Sequence, residues 1–318
     1  MLRELRGAIT ALALVITGVL VAVSVNLGVP GQALLQSIRF HIAAGLLAIV
    51  LVLFLTGAWR RALLFVVVFG LSAGEGAAIV LEQQQRREII GAAAAKPLFR
   101  MLSFNTLQSN LDSGQKITDY ILASGADVVL LLEAGPVQPF IDKLAETYPS
   151  RAGCEDKVNR CETILFSKTP LADVQIRSMS PVWSNRLITA TTVIGGQTIN
   201  LVGAHLVKPY FDDFAEGEVY VLRQAIQALK GPLVLAGDFN AAGWSDNIDR
   251  LAKSETLIPG PFYPATWPIR AGMLGVPIDN MWTRSPLLIA HISAMPDALG
   301  SNHRGLIADI SIAGDAAP

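Results

Sequence analysis

Pro232-Leu233-Val234-Leu235-Ala236-Gly237-Asp238-Phe239-Asn240 reads as a central strand that surfaces at a carboxylate and an amide. An unbroken apolar run of this length marks a strand covered on both faces. Residues two apart on a strand point to the same side, so a continuing strand would let Asp238 and Asn240 address one substrate together. The first would serve as a proton acceptor and the second as a neutral donor. Alone, a strand ending in Asp-x-Asn is about as often a turn or a helix cap.

Working outward, strands and helices alternate from Pro97 onward. Leu98 to Asn105 and Asp127 to Glu133 read as strands flanking a helix near Gln115 to Ser124, with a second helix at about Val137 to Thr147. Thr163 to Ser167 is a short strand, and Leu187 to Ile194 with Thr198 to His205 forms a hairpin about Gly195-Gly196. Glu216 to Leu229 is amphipathic, carrying Val219, Leu222, Ile226 and Leu229 on one stripe. Leu287 to Ala294 and Leu306 to Ile312 complete the strands.

Chemistry-bearing residues recur at the ends of these elements. They are Ser103-Phe104-Asn105, Leu132-Glu133, Ala204-His205-Leu206, Pro277-Ile278-Asp279-Asn280 and Gly300-Ser301-Asn302-His303-Arg304-Gly305. Together with Asp238 and Asn240, and in this order, they make residues 98 to 312 resemble the endonuclease/exonuclease/phosphatase superfamily, the deoxyribonuclease-I-like metal-dependent phosphoesterases. The resemblance implies an α/β fold, a four-layered α/β sandwich in which two sheets pack together and helices cover the outside. It also implies hydrolysis of a phosphate ester by an in-line water. On that pattern Asp238 orients and deprotonates the water, while His205, His303 and Asn240 contact the phosphate. Asp279 steadies a histidine. Glu133 is the expected ligand of Mg²⁺ or Mn²⁺, since a hard cation takes one or two carboxylates plus waters and substrate oxygens. Asn105 is a metal-shell or phosphate contact. The chain departs from the family at Asn302, where an Asp is usual. An amide there keeps a hydrogen bond but adds no charge, which implies weaker metal binding and reduced or specialised activity. A catalytically weak relative, acting as a membrane-tethered binding module, is the alternative reading. His41 and His291 match no motif and read as a membrane-boundary residue and a structural residue. The sequence has no P-loop and no Gly-x-Ser-x-Gly elbow, which disfavours nucleotide-driven work and serine hydrolysis.

The N-terminal part is of another kind. Three apolar runs, roughly Gly7 to Val29, His41 to Ala58 and Ala62 to Leu81, each approach the length needed to cross a hydrocarbon core, and are expected to be three transmembrane helices. A cleaved signal peptide is the alternative for the first run, which lacks a clear small-residue cleavage site. The expected organisation is a membrane anchor over 1–81, a linker over 82–97 and a catalytic domain over 98–318. Arg3, Arg6, Arg60 and Arg61 then fall on the cytoplasmic side and the domain outside, in the periplasm if the membrane is a bacterial inner membrane. Arg39, Arg86 and Arg87 oppose that orientation. Cys154 and Cys161, the only two cysteines, flank the polar loop 155–160 as a local disulfide in an oxidising compartment would, with two unpaired thiols as the alternative. Too few ligands surround them for zinc. Glu75, among the small residues of the third run, reads as facing a neighbouring helix or the interface.

Charge narrows the substrate only slightly. The chain carries 25 Lys+Arg against 26 Asp+Glu, with no dense basic run, and this does not favour non-specific duplex DNA binding. A lipid headgroup, a sugar phosphate and nucleic acid remain as substrate classes, beside membrane lipid around the helices; no obligate protein partner is expected. Pro209-Tyr210-Phe211-Asp212-Asp213-Phe214 could meet a lipid or a base, or be a packed loop. Trp244, Trp267 and Trp282 lie near motifs, either lining a cleft or packing in the core.

Overall fold

The computed structural model describes residues 1–25, 27–91, 96–154, 161–210 and 213–314. Twelve strands form two six-stranded mixed sheets. The first contains β1 (Phe99–Asn105), β2 (Val128–Leu132), β3 (Ser150–Ala152), β4 (Thr163–Ser167), β11 (Leu287–Ala294) and β12 (Leu306–Ile312), in the order β11-β12-β1-β2-β4-β3. The second contains β5 (Leu171–Arg177), β6 (Leu187–Ile194), β7 (Gln197–His205), β8 (Leu233–Asp238), β9 (Leu257–Pro259) and β10 (Asp279–Arg284), in the order β5-β6-β7-β8-β10-β9. Inward side chains of both sheets, among them Met101, Leu130, Leu165, Leu201, Val234 and Ile310, make a common apolar core. A second cluster lies outside the first sheet, where α5 (Gly114–Ala123) and α6 (Ile141–Ala145) pack. A third lies outside the second sheet under α7 (Phe214–Ala228) and α8 (Asp246–Ser254). Two sheets between two helical layers are the expected sandwich.

Each sheet has one parallel pair near its centre, and that pairing sets the site. β1 runs parallel to β2, joined by α5, and β7 runs parallel to β8, joined by α7. Parallel strands place their carboxyl ends at the same edge, where open α/β sheets bind ligands. Asn105 closes β1, His205 closes β7 opposite Asp238 at the end of β8, and Glu133 follows β2. The antiparallel strand β10 brings Asp279 back into register with Asp238.

The strand that opened the sequence reading is buried at every position, as its composition requires. Alternation, however, does not continue to Asn240. Gly237 adopts φ 147° and Asn240 φ 49°, so the chain turns as the strand ends. An Asx turn joins the two residues instead, with the Asn240 N–H donating to Asp238 Oδ1 at 2.8 Å.

The expectation of three membrane helices is corrected. Among the described residues, two helices are long and apolar enough to cross a bilayer, α1 (Leu2–Ser24) and α4 (Trp59–Ile90). The middle apolar helix, α3 (Arg39–Leu55), has 17 residues, roughly 26 Å at 1.5 Å per residue against a core of about 30 Å. It is shortened from both sides. Residues just before it form the short helix α2 (Gln32–Ser37), and Gly57 at φ 81° stops it at the other end. The linker expected over 82–97 is also different, because α4 continues to Ile90 and docks on the globular part. Gln83 Nε2 donates to Gly243 O at 2.9 Å and Asp249 Oδ1 at 2.8 Å, and Lys253 pairs with Glu82 at 2.8 Å. Residues 92–95 of that linker lie outside the described residues. Glu75 faces Arg39 of α3 at 3.8 Å, so the bundle carries an interhelical ion pair. Cys154 and Cys161 form a disulfide; the loop 155–160 lies outside the described residues.

A Cβ on Gly237 would stand 1.8 Å from Ala204 O of the neighbouring strand. With its positive φ as well, Gly237→Ala is expected to destabilise the protein by about 3 kcal/mol or more, lowering its melting temperature by roughly 6 °C or more. A melting temperature within a degree of the parent would show that β7 and β8 do not approach so closely.

Candidate active site

At the shared strand edge, the Asp238 carboxylate is 1% exposed. A buried carboxylate requires hydrogen-bond donors or opposite charge around it. Asn105 Nδ2 supplies one, donating to Asp238 Oδ2 at 3.0 Å and to Glu133 Oε1 at 3.2 Å. Two imidazoles complete the surround: His205 Nε2 lies 3.6 Å and His303 Nε2 3.7 Å from Asp238 Oδ2. Five predicted site residues therefore converge from four strand ends and one loop.

His303 is held by Asp279, whose Oδ2 lies 2.9 Å from Nδ1. Ser301 fixes the loop, its hydroxyl donating to Asn105 O at 2.7 Å and accepting from the His303 N–H at 3.1 Å. Burial disfavours the imidazolium, but Asp279, Asp238 and Glu133 outweigh it and hold the pKa at about 9. Asp279 is raised in turn, by burial first and by Asp238, against the opposing pull of His303. His303 thus carries a positive charge at neutral pH beside Asp238, the arrangement expected of a group that meets an anion.

His205 has an analogous support that sequence reading missed. Its Nδ1 is 3.2 Å from Glu162 Oε1, near enough for an ion pair although unaligned for a hydrogen bond. Arg186 Nε donates to the same oxygen at 2.6 Å. Glu162 and Arg186 are both buried. A charged residue beside Cys161 and just before the strand Thr163–Ser167, with its apolar centre Ile164-Leu165-Phe166, was the available signal for Glu162, and the register that pairs β6 with β7 was needed to use it.

Three expectations change on this geometry. Asn105 was read as a metal-shell or phosphate contact, yet its amide nitrogen bridges two carboxylates and its oxygen accepts from the Leu107 N–H at 3.1 Å. The amide thus stands between the Glu133 and Asp238 carboxylates, while its oxygen keeps a second acceptor position. Asn240 reaches the cleft, but its Nδ2 already donates to Leu206 O at 2.8 Å, leaving one amide hydrogen for a ligand. Asn302 is exposed and belongs to none of the site's hydrogen bonds among the described residues. The Asp279–His303 contact does not depend on it. Asn280 instead braces the turn after Asp238 by donating to Ala241 O at 2.9 Å.

Two hollows flank this cluster. One, of about 390 Å³, is lined by Glu133, His205 and Asn240 with Trp183, Tyr210 and Phe214. The other, about 180 Å³, reaches His303 and Asn240 from the opposite side. Lys208 and Tyr210 belong to both rims. Trp267 lines the second hollow, whereas Trp282 is buried in the core and Trp244 packs edge-on against Phe40 and Tyr263. Phe211 and Asp212 lie outside the described residues. His41 sits at the start of α3, with Nε2 2.8 Å from Leu274 O, and His291 is exposed on the outer strand β11.

Asp238, Asp279 and His303 have atoms close enough together to surround an ion. Their chemistry argues against that place, since the two ring nitrogens of a protonated His303 are donors and Asp279 is committed to one of them. Glu133 fits better. It is half-buried, lines the larger hollow and offers carboxylate oxygens to a hard cation whose other ligands would be water and phosphate oxygens.

This pattern matches a known family. Residues 102–303 match the model of the Endonuclease/Exonuclease/phosphatase family, and the chain belongs to that family. Solved structures agree in fold. Sphingomyelinase C from Streptomyces griseocarneus is 15% identical at a TM-score of 0.53, covering 66% of this chain and 98% of that one. D. rerio TDP2 complexed with a single-strand DNA product is 18% identical, TM-score 0.54, covering 67% and 98%. A beta toxin variant from Staphylococcus aureus with bound magnesium ions is 11% identical, TM-score 0.53, covering 66% and 99%. No protein of curated function matches the chain in sequence.

A folded-state pKa near 9 lies above the ordinary histidine value of 6.5. The associated stabilisation is therefore fully present below about pH 6.5 and is lost as pH rises through about 9. Imidazole NMR of the metal-free protein is expected to show His303 titrating near pH 9, and at lower pH in Asp279→Asn. A midpoint below 7 in the parent protein would contradict the charged assignment.

Proposed function

We propose that the chain is a membrane-anchored, metal-dependent phosphoesterase that cleaves a phosphodiester or phosphomonoester by in-line attack of water. The observation that carries this reading is the buried Asp238 carboxylate with His205 Nε2 and His303 Nε2 both within 3.7 Å of one of its oxygens. A base between two imidazoles is arranged to take a proton from water while the imidazoles face the charge that builds on phosphorus-bound oxygens. The attacking oxygen forms its bond to phosphorus as the bond to the leaving alkoxide breaks. Its proton passes to Asp238. His303, positively charged and fixed by Asp279, stabilises the non-bridging oxygens. His205 is oriented by the Glu162–Arg186 pair, and the remaining Asn240 amide hydrogen reaches the same oxygens. A Mg²⁺ or Mn²⁺ ion held by Glu133 would add Lewis-acid stabilisation of the phosphoryl oxygens. Magnesium is the ion bound in the beta toxin structure.

The membrane part of the reading rests on the helices and on where Arg residues find partners. Arg6 donates to Thr56 O and Arg61 to Thr10 Oγ1, which puts the start of α1 and the α3–α4 turn at one end of the bundle. The globular part joins the other end through Gln36 and Gln83. α3, although short for a span by itself, returns the chain along α1, with Arg39 donating to Val23 O at one end and Arg6 to Thr56 O at the other; with Arg3, Arg6, Arg60 and Arg61 cytoplasmic, the domain is then outside, in an oxidising compartment that suits the Cys154–Cys161 disulfide. The opposing Arg39 and Arg86 are engaged by Glu75 and Asp249.

Full-length protein in detergent is expected to hydrolyse bis(p-nitrophenyl) phosphate with Mg²⁺ or Mn²⁺, and Asp238→Ala to lose at least about 10²-fold of that rate. Equal rates in the parent and Asp238→Ala would remove the phosphoesterase assignment.

A further inference from the structure

The smaller hollow beside His303 has walls from two sources. Trp267, Val276 and Ile278 come from the globular part, and Leu34, Ser37 and Ile38 come from α2 and the residue after it, in the segment between the apolar helices α1 and α3. This contact is built. The Ala242 N–H donates to Ser37 Oγ at 2.9 Å, the Trp244 indole to Gln36 O at 3.1 Å, and the Asp246 N–H to Gln36 Oε1 at 3.0 Å, while Gln36 Nε2 returns a bond to Asp246 Oδ2 at 2.7 Å. Gln36 and Ser37 are buried. Ala242, Val276 and Ile278 form an apolar cluster there, with Ile38 and Trp267 packed against it. An enzyme acting on soluble esters needs no wall of this kind beside its catalytic histidine.

A second feature faces the same way. Met273 and Leu274 are 96% and 76% exposed, in a turn whose backbone is held to His41 at the start of α3. Leu27, Val29, Leu34 and Leu35, between α1 and α3, are exposed as well. Apolar side chains at the level where membrane helices begin and end are arranged to enter the lipid interface. Leu34 belongs both to this exposed apolar set and to the wall of the hollow. On the far side of Asn240 lies the larger, wetter cleft with Glu133 and His205, and Lys208 stands at both rims to meet a phosphate.

We infer that the substrate is a phospholipid of the surrounding bilayer, its phosphate at His303 and Asn240 and the start of its hydrocarbon part in the hollow between α2 and the Trp267–Ile278 segment. This rests on the phosphoesterase reading and supplies its substrate class. At about 180 Å³ the hollow is smaller than a pocket that encloses a whole drug-sized ligand. It suits the first segment of a chain whose remainder stays in the membrane. The anchor then presents substrate as well as tethering the enzyme.

The test uses the full chain in vesicles of phosphatidylglycerol, phosphatidylethanolamine, phosphatidylcholine and phosphatidic acid, with soluble bis(p-nitrophenyl) phosphate assayed in parallel. Leu34→Asp charges the hollow and Ile38→Trp fills it. Each is expected to reduce release of phosphate or headgroup from the vesicles at least about tenfold while leaving soluble-diester turnover within about twofold. Soluble turnover that depends on Asp238, with no lipid turnover by the parent, would overturn the lipid assignment and leave the phosphoesterase reading standing. Lipid turnover unchanged in both variants, or lost in step with soluble turnover in both, would overturn the role of the hollow. Turnover of neither substrate by the parent would remove the phosphoesterase reading itself.

Discussion

A carboxylate placed where water barely reaches is the constraint around which this molecule is organised. Burying Asp238 would cost several kcal/mol without compensating donors and charge, and residues from both sheets meet that need. Asn105 and His303 approach from the first sheet, while His205 and the Asn240 N–H approach from the second. The two sheets must hold one relative position for these groups to meet. The common apolar core between them, with Leu130 set close over Gly203, holds that position. Packing and chemistry are thus coupled: a slip of one sheet would leave a charge unpaired as well as a core unfilled.

The same logic extends outward in shells. His303 can remain charged because Asp279 is in register with Asp238 on the adjacent strand. Asp279 is placed in turn by β10, and its N–H donates to Thr266 Oγ1 at 3.2 Å. On the other side, Arg186 and Glu162 hold each other buried and leave a carboxylate oxygen directed at His205. Each histidine therefore has one acid behind it and shares Asp238 in front. Asn105 stands between Glu133 and Asp238 and donates to both carboxylates. The N-terminal helices join this arrangement through polar bonds at Gln36, Ser37 and Gln83, which position them against the residues that follow Asp238.

Much of the frame was legible before any coordinates. Apolar runs and their period located the central strands and α7, because burial on both faces demands continuous hydrophobicity and a half-covered helix demands a stripe. Strands β3, β5, β9 and β10 are not evident in the sequence. β3 and β9 have three residues each, and β10 reads Asp279-Asn280-Met281-Trp282-Thr283-Arg284, with polar residues at both ends. α4 was cut short in the reading because Glu82 to Arg87 looks like a solvated linker. Those polar residues are used instead to grip Gly243, Asp249 and Lys253.

What the sequence determined by itself was local or additive: the strand ends carrying Asn105, Glu133, His205 and Asp238, the loop carrying His303, and the apolar N-terminus. These follow from composition and spacing, which a linear chain displays directly. Tertiary structure alone decided which groups are partners. The pairing of His303 with Asp279, of His205 with Glu162 and of Arg39 with Glu75 spans 24, 43 and 36 positions respectively. So did the turning of the Asn105 amide toward two acids, the exposure of Asn302, and the wall that α2 contributes beside the catalytic loop. Partner choice depends on distance and desolvation between segments remote in the chain, and those quantities exist only once the sheets and helices have packed.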